Sequence, residues 1–430
     1  MRASGRNIKL AMAWQSGFAA PASATDAAWT FNSASGSVGP IGVEAPDHRA
    51  LMGADGDAID PDRGAHDVSG TWELPLCARQ SGLWLRGLFG DAASTTTAGS
   101  RGGLDFAAQA IAGDTITVGA TTLTFVAADA GINEVLIGAT ISDTIDAVTT
   151  AIDDLDDLTA TRFGQLVLIE HMTADATGDA IVTGASAAHR MRPIAATLKG
   201  GGMTRHHFTD RTHQSRPFAT IEREHSDLTG ANAFRVVDSQ IVRALNFPRA
   251  RSGQATMRAD VLARYDARSA TRSLSATPTA LRAEPFSMIG GRITVDGACI
   301  GTIDSAALEL GVDVTADGFD ACGLADAGVI GEPVIGDTTA KFDITARFPT
   351  GDLMDAAFNA SHVSVQMVYA SRSSGAMLIL DVPRVFCGRP GETFNGRSSV
   401  TAAFTGEGYV DTDAGYRYAA TYYSPVAAFS

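Results

Sequence analysis

The feature that most constrains this chain is an alternation of apolar and polar residues with a period of two. It recurs in Ile8-Leu10-Met12-Trp14, Trp72-Leu74-Leu76, Met257-Ala259-Val261-Ala263-Tyr265, Leu308-Leu310-Val312-Val314 and Val400-Ala402-Phe404. Successive side chains of a strand point to opposite faces, so each run predicts one buried and one exposed face, as in an antiparallel sheet or sandwich. Gly-, Asp- and Ser-rich stretches between the runs supply turns. A mainly β protein with antiparallel sandwich or barrel packing follows. The 45% hydrophobic content supports a folded core across 430 residues, whereas 19% charged residues is sparse for that length. Large charge-poor surfaces suit a protein that sits inside an assembly.

Residues 103–202 read differently. Thr115–Val118, the turn Gly119-Ala120 and Thr121–Val126 predict a hairpin. Ile141-Ser142-Asp143 then opens a helix with Ser142 or Asp143 as cap, and Ile145, Val148, Ile152 and Leu155 form one apolar face. Gln165–Glu170 and Ala180–Thr183 predict two more strands, completing a β-β-α-β-β unit. Gly102-Gly103 and Gly200-Gly201-Gly202 flank it and would suit the hinges of an inserted domain.

The remaining residues look duplicated. Thr71–Leu76 precedes a helix carrying Trp84, Leu85, Leu88 and Phe89, while Lys341–Phe348 precedes one carrying Leu353, Met354, Ala357 and Phe358. An offset of 269 relates all four apolar positions. The expected organisation is a first half over 1–102 and 203–285, interrupted by the insert 103–202, and a second half over 286–430.

Charge divides along the same lines. The formal net charge of −15 splits into −2 for 1–102, −9 for 103–202, +5 for 203–285 and −9 for 286–430. A chain with a pI near 5.0 lacks the electrostatic footprint of a nucleic-acid binder. Arg243, Arg249, Arg251, Arg258, Arg264 and Arg268 are the one basic feature. With only Phe247 and Tyr265 nearby, they read as a charged strand face or as the complement of an acidic neighbouring copy.

Chemical signatures are absent from the sequence: it has no P-loop, no dinucleotide fingerprint, no zincin motif and no nucleophile elbow. No catalytic, cofactor-binding or metal residue is nominated, no cofactor is expected, and the chain reads as a non-enzyme. His206, His207, His213 and Asp210 match no standard metal spacing, and Asp313, Asp317 and Asp320 do not fit a calcium loop. Cys77, Cys299, Cys322 and Cys387 are too scattered for a zinc site and read as reduced core residues. With no apolar run long enough to span a bilayer and no signal peptide visible, the expectation is synthesis in the cytoplasm without membrane insertion.

The order of features resembles the tail tube proteins of bacteriophages with long, non-contractile tails. Arg6-Asn7-Ile8-Lys9-Leu10, Trp14-Gln15-Ser16-Gly17 and Pro21-Ala22 look like that family's opening strand and loop. Gly70–Leu76 followed by Gly82–Asp91 looks like its strand-then-helix core, and Ala219–Glu224 like the strand that follows. Asp352-Leu353, Leu380–Val385 and Val400–Phe404 resemble its closing strands. The resemblance covers 1–100 and about 203–425 and does not extend to the insert.

It implies a structural virion protein, made in the bacterial host cytoplasm, whose copies join sheets around a lumen and stack as rings. Phage DNA would pass through without specific binding. Partners would be further copies and other tail proteins, namely tape measure, tail terminator and distal tail protein. A duplicated chain would close a ring with three copies, with six single-unit copies as the competitor. The insert would decorate the outside. The alternative is another phage surface protein, for decoration or adhesion, that binds a host surface or glycan.

Overall fold

A computed structural model describes residues 8–33, 35–36, 39–40, 68–210, 216–287, 292–296, 298–299, 302–315, 329–347, 358–359, 361–371, 373–393 and 401–429. The chain starts with β1 (Ile8–Trp14), β2 (Ala28–Phe31), β3 (Ser35–Gly36), β4 (Gly39–Pro40) and β5 (Val68–Pro75). Helix α1 (Ser81–Phe89) and strand β6 (Ser94–Thr97) follow. Every residue of α1 except Arg86 is buried, as expected of a helix that is apolar all round. Gln80 anchors its start, accepting from Asn32 N (3.0 Å) and donating to Leu281 O (2.5 Å). Gly90, at φ 85°, ends it. Trp84 packs edge-on against Phe31 (5.5 Å between rings), which also meets Trp72 (5.7 Å).

The next stretch forms β7 (Arg101–Phe106), β8 (Thr115–Val118), β9 (Thr121–Val126), β10 (Glu134–Leu136), α2 (Ile141–Asp153), β11 (Leu158–Phe163), β12 (Leu166–His171), β13 (Thr183–Ala185) and β14 (Met191–Pro193). Two four-stranded sheets, β10-β9-β8-β13 and β11-β12-β7-β14, enclose a core of their own that includes Phe106, Phe125, Ile145, Val148, Ile152 and Ile169. The expected hairpin is present as β8–β9. The helix is capped by Thr140, two residues before Ser142 and three before Asp143. Thr140 accepts from Asp143 N (3.2 Å), while the Asp143 carboxylate accepts from Thr140 N (2.9 Å), a reciprocal capping box. Leu155 lies beyond the helix end. The strand expected over Ala180–Thr183 is displaced: a 3₁₀ turn over Thr177–Ala180 takes its first residue, Val182 bridges Thr197, and Thr183 opens β13. Strands β7, β10, β11 and β14 add to the expected order.

The chain continues through β15 (Thr204–Thr209), β16 (Ala219–His225), β17 (Phe234–Arg249), β18 (Thr256–Ala263), β19 (Tyr265–Ser269) and β20 (Thr279–Ala280). It ends with β21 (Arg292–Val295), β22 (Ala298–Cys299), β23 (Thr302–Thr315), β24 (Val334–Arg347), β25 (His362–Ala370), β26 (Met377–Cys387), β27 (Gly391–Thr393), β28 (Thr401–Gly408) and β29 (Ala419–Ser424). These strands and β1–β6 form one large, mostly antiparallel sheet system that folds over a common core, with no closed barrel among the described residues.

One succession of pairings occurs twice. In the first set β1 pairs β2 and β16, β16 pairs β17, β17 pairs both β18 and β19, and β18 pairs β5, which pairs β3 and β4. In the second, β21 pairs β22 and β25, β25 pairs β26, β26 pairs both β28 and β29, and β28 pairs β24, which pairs β23. All these pairs are antiparallel. Burial aligns Trp72 and Leu74 with Phe342 and Ile344, one residue on from the offset expected, because that offset would set buried Trp72 against exposed Lys341. The second helix expected around Leu353, Met354 and Ala357 falls outside the described residues, and Phe358 is 53% exposed. The two sets join where β17 pairs β23 over Ala244–Arg249 and Ala306–Gly311.

Leu88 and Phe89 are fully buried. A carboxylate at either site, buried without a partner and in place of a packed apolar side chain, should cost more than about 5 kcal/mol, enough to unfold a marginally stable domain. Leu88→Asp or Phe89→Asp should give no soluble, cooperatively melting protein by circular dichroism. Unchanged melting would show that the helix is not packed as described.

Candidate functional site

Strands β5, β18, β17, β23, β24 and β28 lie side by side, and alternation sends Trp72, Met257, Leu245, Leu308, Phe342 and Phe404 from them into the core. The opposite face is polar. Register places Glu73 opposite Arg258, Arg258 opposite Asn246, Asn246 opposite Glu309, Glu309 opposite Lys341 and Lys341 opposite Glu407. One row of side chains therefore crosses six strands, three acidic and two basic around a neutral Asn246, with an acidic residue at each end.

The neighbouring row, Thr71, Asp260, Ala244, Gly311 and Thr339, is mostly small. There the face sinks into a trough of about 680 Å³, whose rim includes Arg243, Asp260, Glu309, Asp313, Asp337 and Lys341. Carboxylates outnumber cations on the face as a whole. Its ion pairs, Arg258–Asp260 (2.9 Å) and Lys341–Glu309 (3.8 Å), are solvent-exposed, so each contributes under about 1 kcal/mol and leaves the field of the surface acidic.

A second site is the junction of residues 101–199 with the rest. Four of the five glycines expected to act as hinges are packed, while a Cβ on Gly202 would meet nothing within 4 Å. Gly102 and Gly103 lie within β7, opposite Ile169 and Leu168 of β12, and a Cβ on Gly201 would come within 2.0 Å of Asp175 O. Their lack of a side chain permits close approach rather than motion. Arg101 and Lys199 exchange two backbone hydrogen bonds of 2.7 Å.

The Arg101 guanidinium, only 2% exposed, donates to Gly99 O (2.9 Å), Gly200 O (3.3 Å) and Gly375 O (3.2 Å) and lies 4.0 Å over the Tyr423 ring. Burial pulls its pKa below the usual value, opposed by Glu170 at 3.7 Å, and burial likewise raises the Glu170 carboxyl. Phe163, Leu166 and Leu168 pack against Val368, Met377, Ile379 and Tyr423 beside it.

The clusters weighed in the sequence are separated by the strands that carry them. His206 and His207 sit on opposite faces of β15: the Nε2 of His206 is 3.0 Å from Val426 O, and the Nδ1 of His207 is 3.0 Å from Thr421 Oγ1. Burial lowers the pKa of both. Asp210 accepts from Arg417 N and Thr338 Oγ1. His213, Asp317, Asp320 and Cys322 lie outside the described residues, and Asp313 is on β23. Among the described residues no group of three or more His, Cys, Asp or Glu could hold a metal. Cys77 and Cys387 are buried free thiols, and burial pushes Cys387 up to about 11.

The sequence places Arg258 and Arg264 on one charged strand face, with an acidic neighbouring copy as the alternative partner, but β18 ends at Ala263. The strand breaks at Arg264, which turns to Asp238 (3.6 Å), while Arg235 pairs with Asp266 and Arg272 with Glu224. Their partners belong to the same segment. The row across the sheet was missed because register is not written in any one strand.

Comparison with protein families matches residues 5–408 to the family described as phage tail tube protein. The chain belongs to that family. No curated protein matches it. As a tail tube protein it is a structural component of the phage tail and of the virion.

Two measurements test this geometry in the tail tube protein. Arg101→Met removes the donor to three carbonyls and leaves Glu170 without its cation, a loss of about 3 kcal/mol. The variant should melt several degrees lower and be cleaved by protease near residues 97–101 and 199–203; an unchanged digestion pattern would count against the clamp. His206 and His207 favour the neutral form in the fold, below their ordinary value of 6.5. Stability should be complete above that pH and fall as pH drops below it, where the unfolded chain takes up protons that the folded chain does not. His206→Gln should flatten the dependence of melting temperature on pH.

Proposed function

We propose that copies of this protein assemble into stacked rings around a channel that conducts phage DNA, and that the acidic sheet face with its trough lines the channel. The observation that carries this reading is the face itself: it is continuous across six strands, apolar behind, and acidic in front. A wall of that sign repels phosphates and keeps DNA from sticking during transit, and its effect weakens as salt screens it. The tail would be of the long, non-contractile type, with the tape measure, tail terminator and distal tail proteins as further partners and synthesis in the host cytoplasm.

The twofold succession of strand pairings supports a duplicated chain, so that three copies would supply the six units of one ring. Residues 101–199 would then be an inserted unit on the outer surface. None of them lines the trough, and a unit of that size inside the channel would block it. The clamp at Arg101 supports a fixed projection instead of a hinged one.

Two experiments test the reading. Asp343 follows Lys341 at the next outward position of β24. Phage carrying Asp313→Lys, Asp337→Lys and Asp343→Lys together should assemble normal tails but eject DNA at least tenfold more slowly at low ionic strength, with recovery in high salt. Ejection at the wild-type rate would overturn the lumen assignment, and imaging that counts six chains per ring would overturn the three-copy ring. Deleting residues 101–199, with Val368→Thr and Ile379→Thr to cover the exposed patch, should leave tubes intact in electron micrographs. Loss of assembling protein would refute the insert's independence.

A further inference from the structure

Resting on that assembly reading, we propose that neighbouring copies join edge to edge between β26–β27 of one copy and β3–β4 of the next, repeating between chains the β17–β23 ladder found within one. The argument follows the two sets of pairings. Strands β3 and β4 stand to β5 as β23 stands to β24. Ser35, Gly36 and Gly39 face Glu73, Trp72 and Ser69, and Ala307, Leu308 and Gly311 face Asp343, Phe342 and Thr339. Matching Trp72 to Phe342 by burial makes Ser35 the counterpart of Ala307 and Gly39 the counterpart of Gly311. The glycine has a reason to recur. A Cβ on Gly311 would sit 2.8 Å from Thr339 Oγ1 and 3.4 Å from Ala244 Cβ and Arg243 O, at the point where β17 comes alongside.

The other edge follows in the same way. Strand β26 with its continuation β27 pairs β25, β28 and β29 as β17 pairs β16, β18 and β19. Buried Cys387 opposite Gly406 then matches buried Leu245 opposite Ala259, and three residues further on Pro390 matches Pro248. A proline at both places fits a ladder that needs no N–H there.

Within the chain, β17 uses its outer side beyond Ala244 to hold β23. The counterparts have no such neighbour. Among the described residues β27 pairs only β28, and β3 and β4 pair only β5. These two edges are the ends of the sheet that carries the acidic face. An unpaired edge invites a strand from another chain, and a head-to-tail contact of this kind generates a ring when the rotation closes. The in-chain register sets Pro248 against Ala307, so between chains it sets Pro390 against Ser35.

Directly opposed residues on antiparallel strands come within reach of a disulfide. In assembled tubes, Ser35→Cys with Pro390→Cys should give, on oxidation, reductant-sensitive multimers ending at the ring size, with neither single change doing so. Pro248→Cys with Ala307→Cys is the in-chain control and should cross-link without forming multimers. Tubes in which Ser35→Cys links to none of Arg389→Cys, Pro390→Cys or Gly391→Cys would overturn the joint while leaving the assembly reading in place.

Hydrogen exchange on the unmodified protein supplies an independent readout. Amides of Ser35, Gly36 and Gly391–Thr393 should be protected at least tenfold more in tubes than in dispersed protein, and equal protection overturns the joint. Unmodified protein that forms no rings or tubes overturns the assembly reading and the joint together.

Discussion

Much of this structure depends on one backbone ladder, the pairing of β17 with β23. Strands satisfy their N–H and C=O groups only through neighbours, so a sheet built from two similar sets of strands either ends twice or is joined. Here the C-terminal half of β17 turns away from β16 and takes β23 instead. That makes one continuous surface of β5, β18, β17, β23, β24 and β28, with an apolar back and an acidic front. The trough lies at the seam because Ala244 and Gly311, the residues that let the strands approach there, are small.

The second organising contact is electrostatic. Arg101 is buried, and a buried cation needs partners for its charge and donors, which here are a nearby carboxylate and carbonyls met by its two terminal nitrogens. Its donors reach carbonyls at the start of β7, at the glycine turn after Lys199 and at Gly375, between β25 and β26. Three segments far apart in sequence are thereby tied to one side chain, and Tyr423 covers it. The glycines around it work as spacers for close packing. A glycine run reads as a hinge in a sequence because the same missing side chain serves both purposes.

The strands and the first helix were legible because alternation and an all-round apolar helix are local signals. Strand β1, the β8–β9 hairpin and α1 fall where the pattern puts them, and the family could be named from the order of short motifs. What failed was also local. Gly102 and Gly103 interrupt the pattern of β7 and hid the strand, the capping threonine precedes the apolar run it caps, and Arg264 shares the parity of Arg258 although β18 ends before it.

Sequence by itself determined which residues of the regular strands and of the first helix are inside and which outside, since alternation and helix periodicity are properties of neighbouring residues. Only the tertiary structure decided which strand lies beside which. That decision turned scattered Glu73, Glu309, Lys341 and Glu407 into one row and separated His206 from His207. Register between strands distant in sequence is fixed by the packing of both faces and by bulges such as the one at Val242–Ala244, and no single segment carries that information.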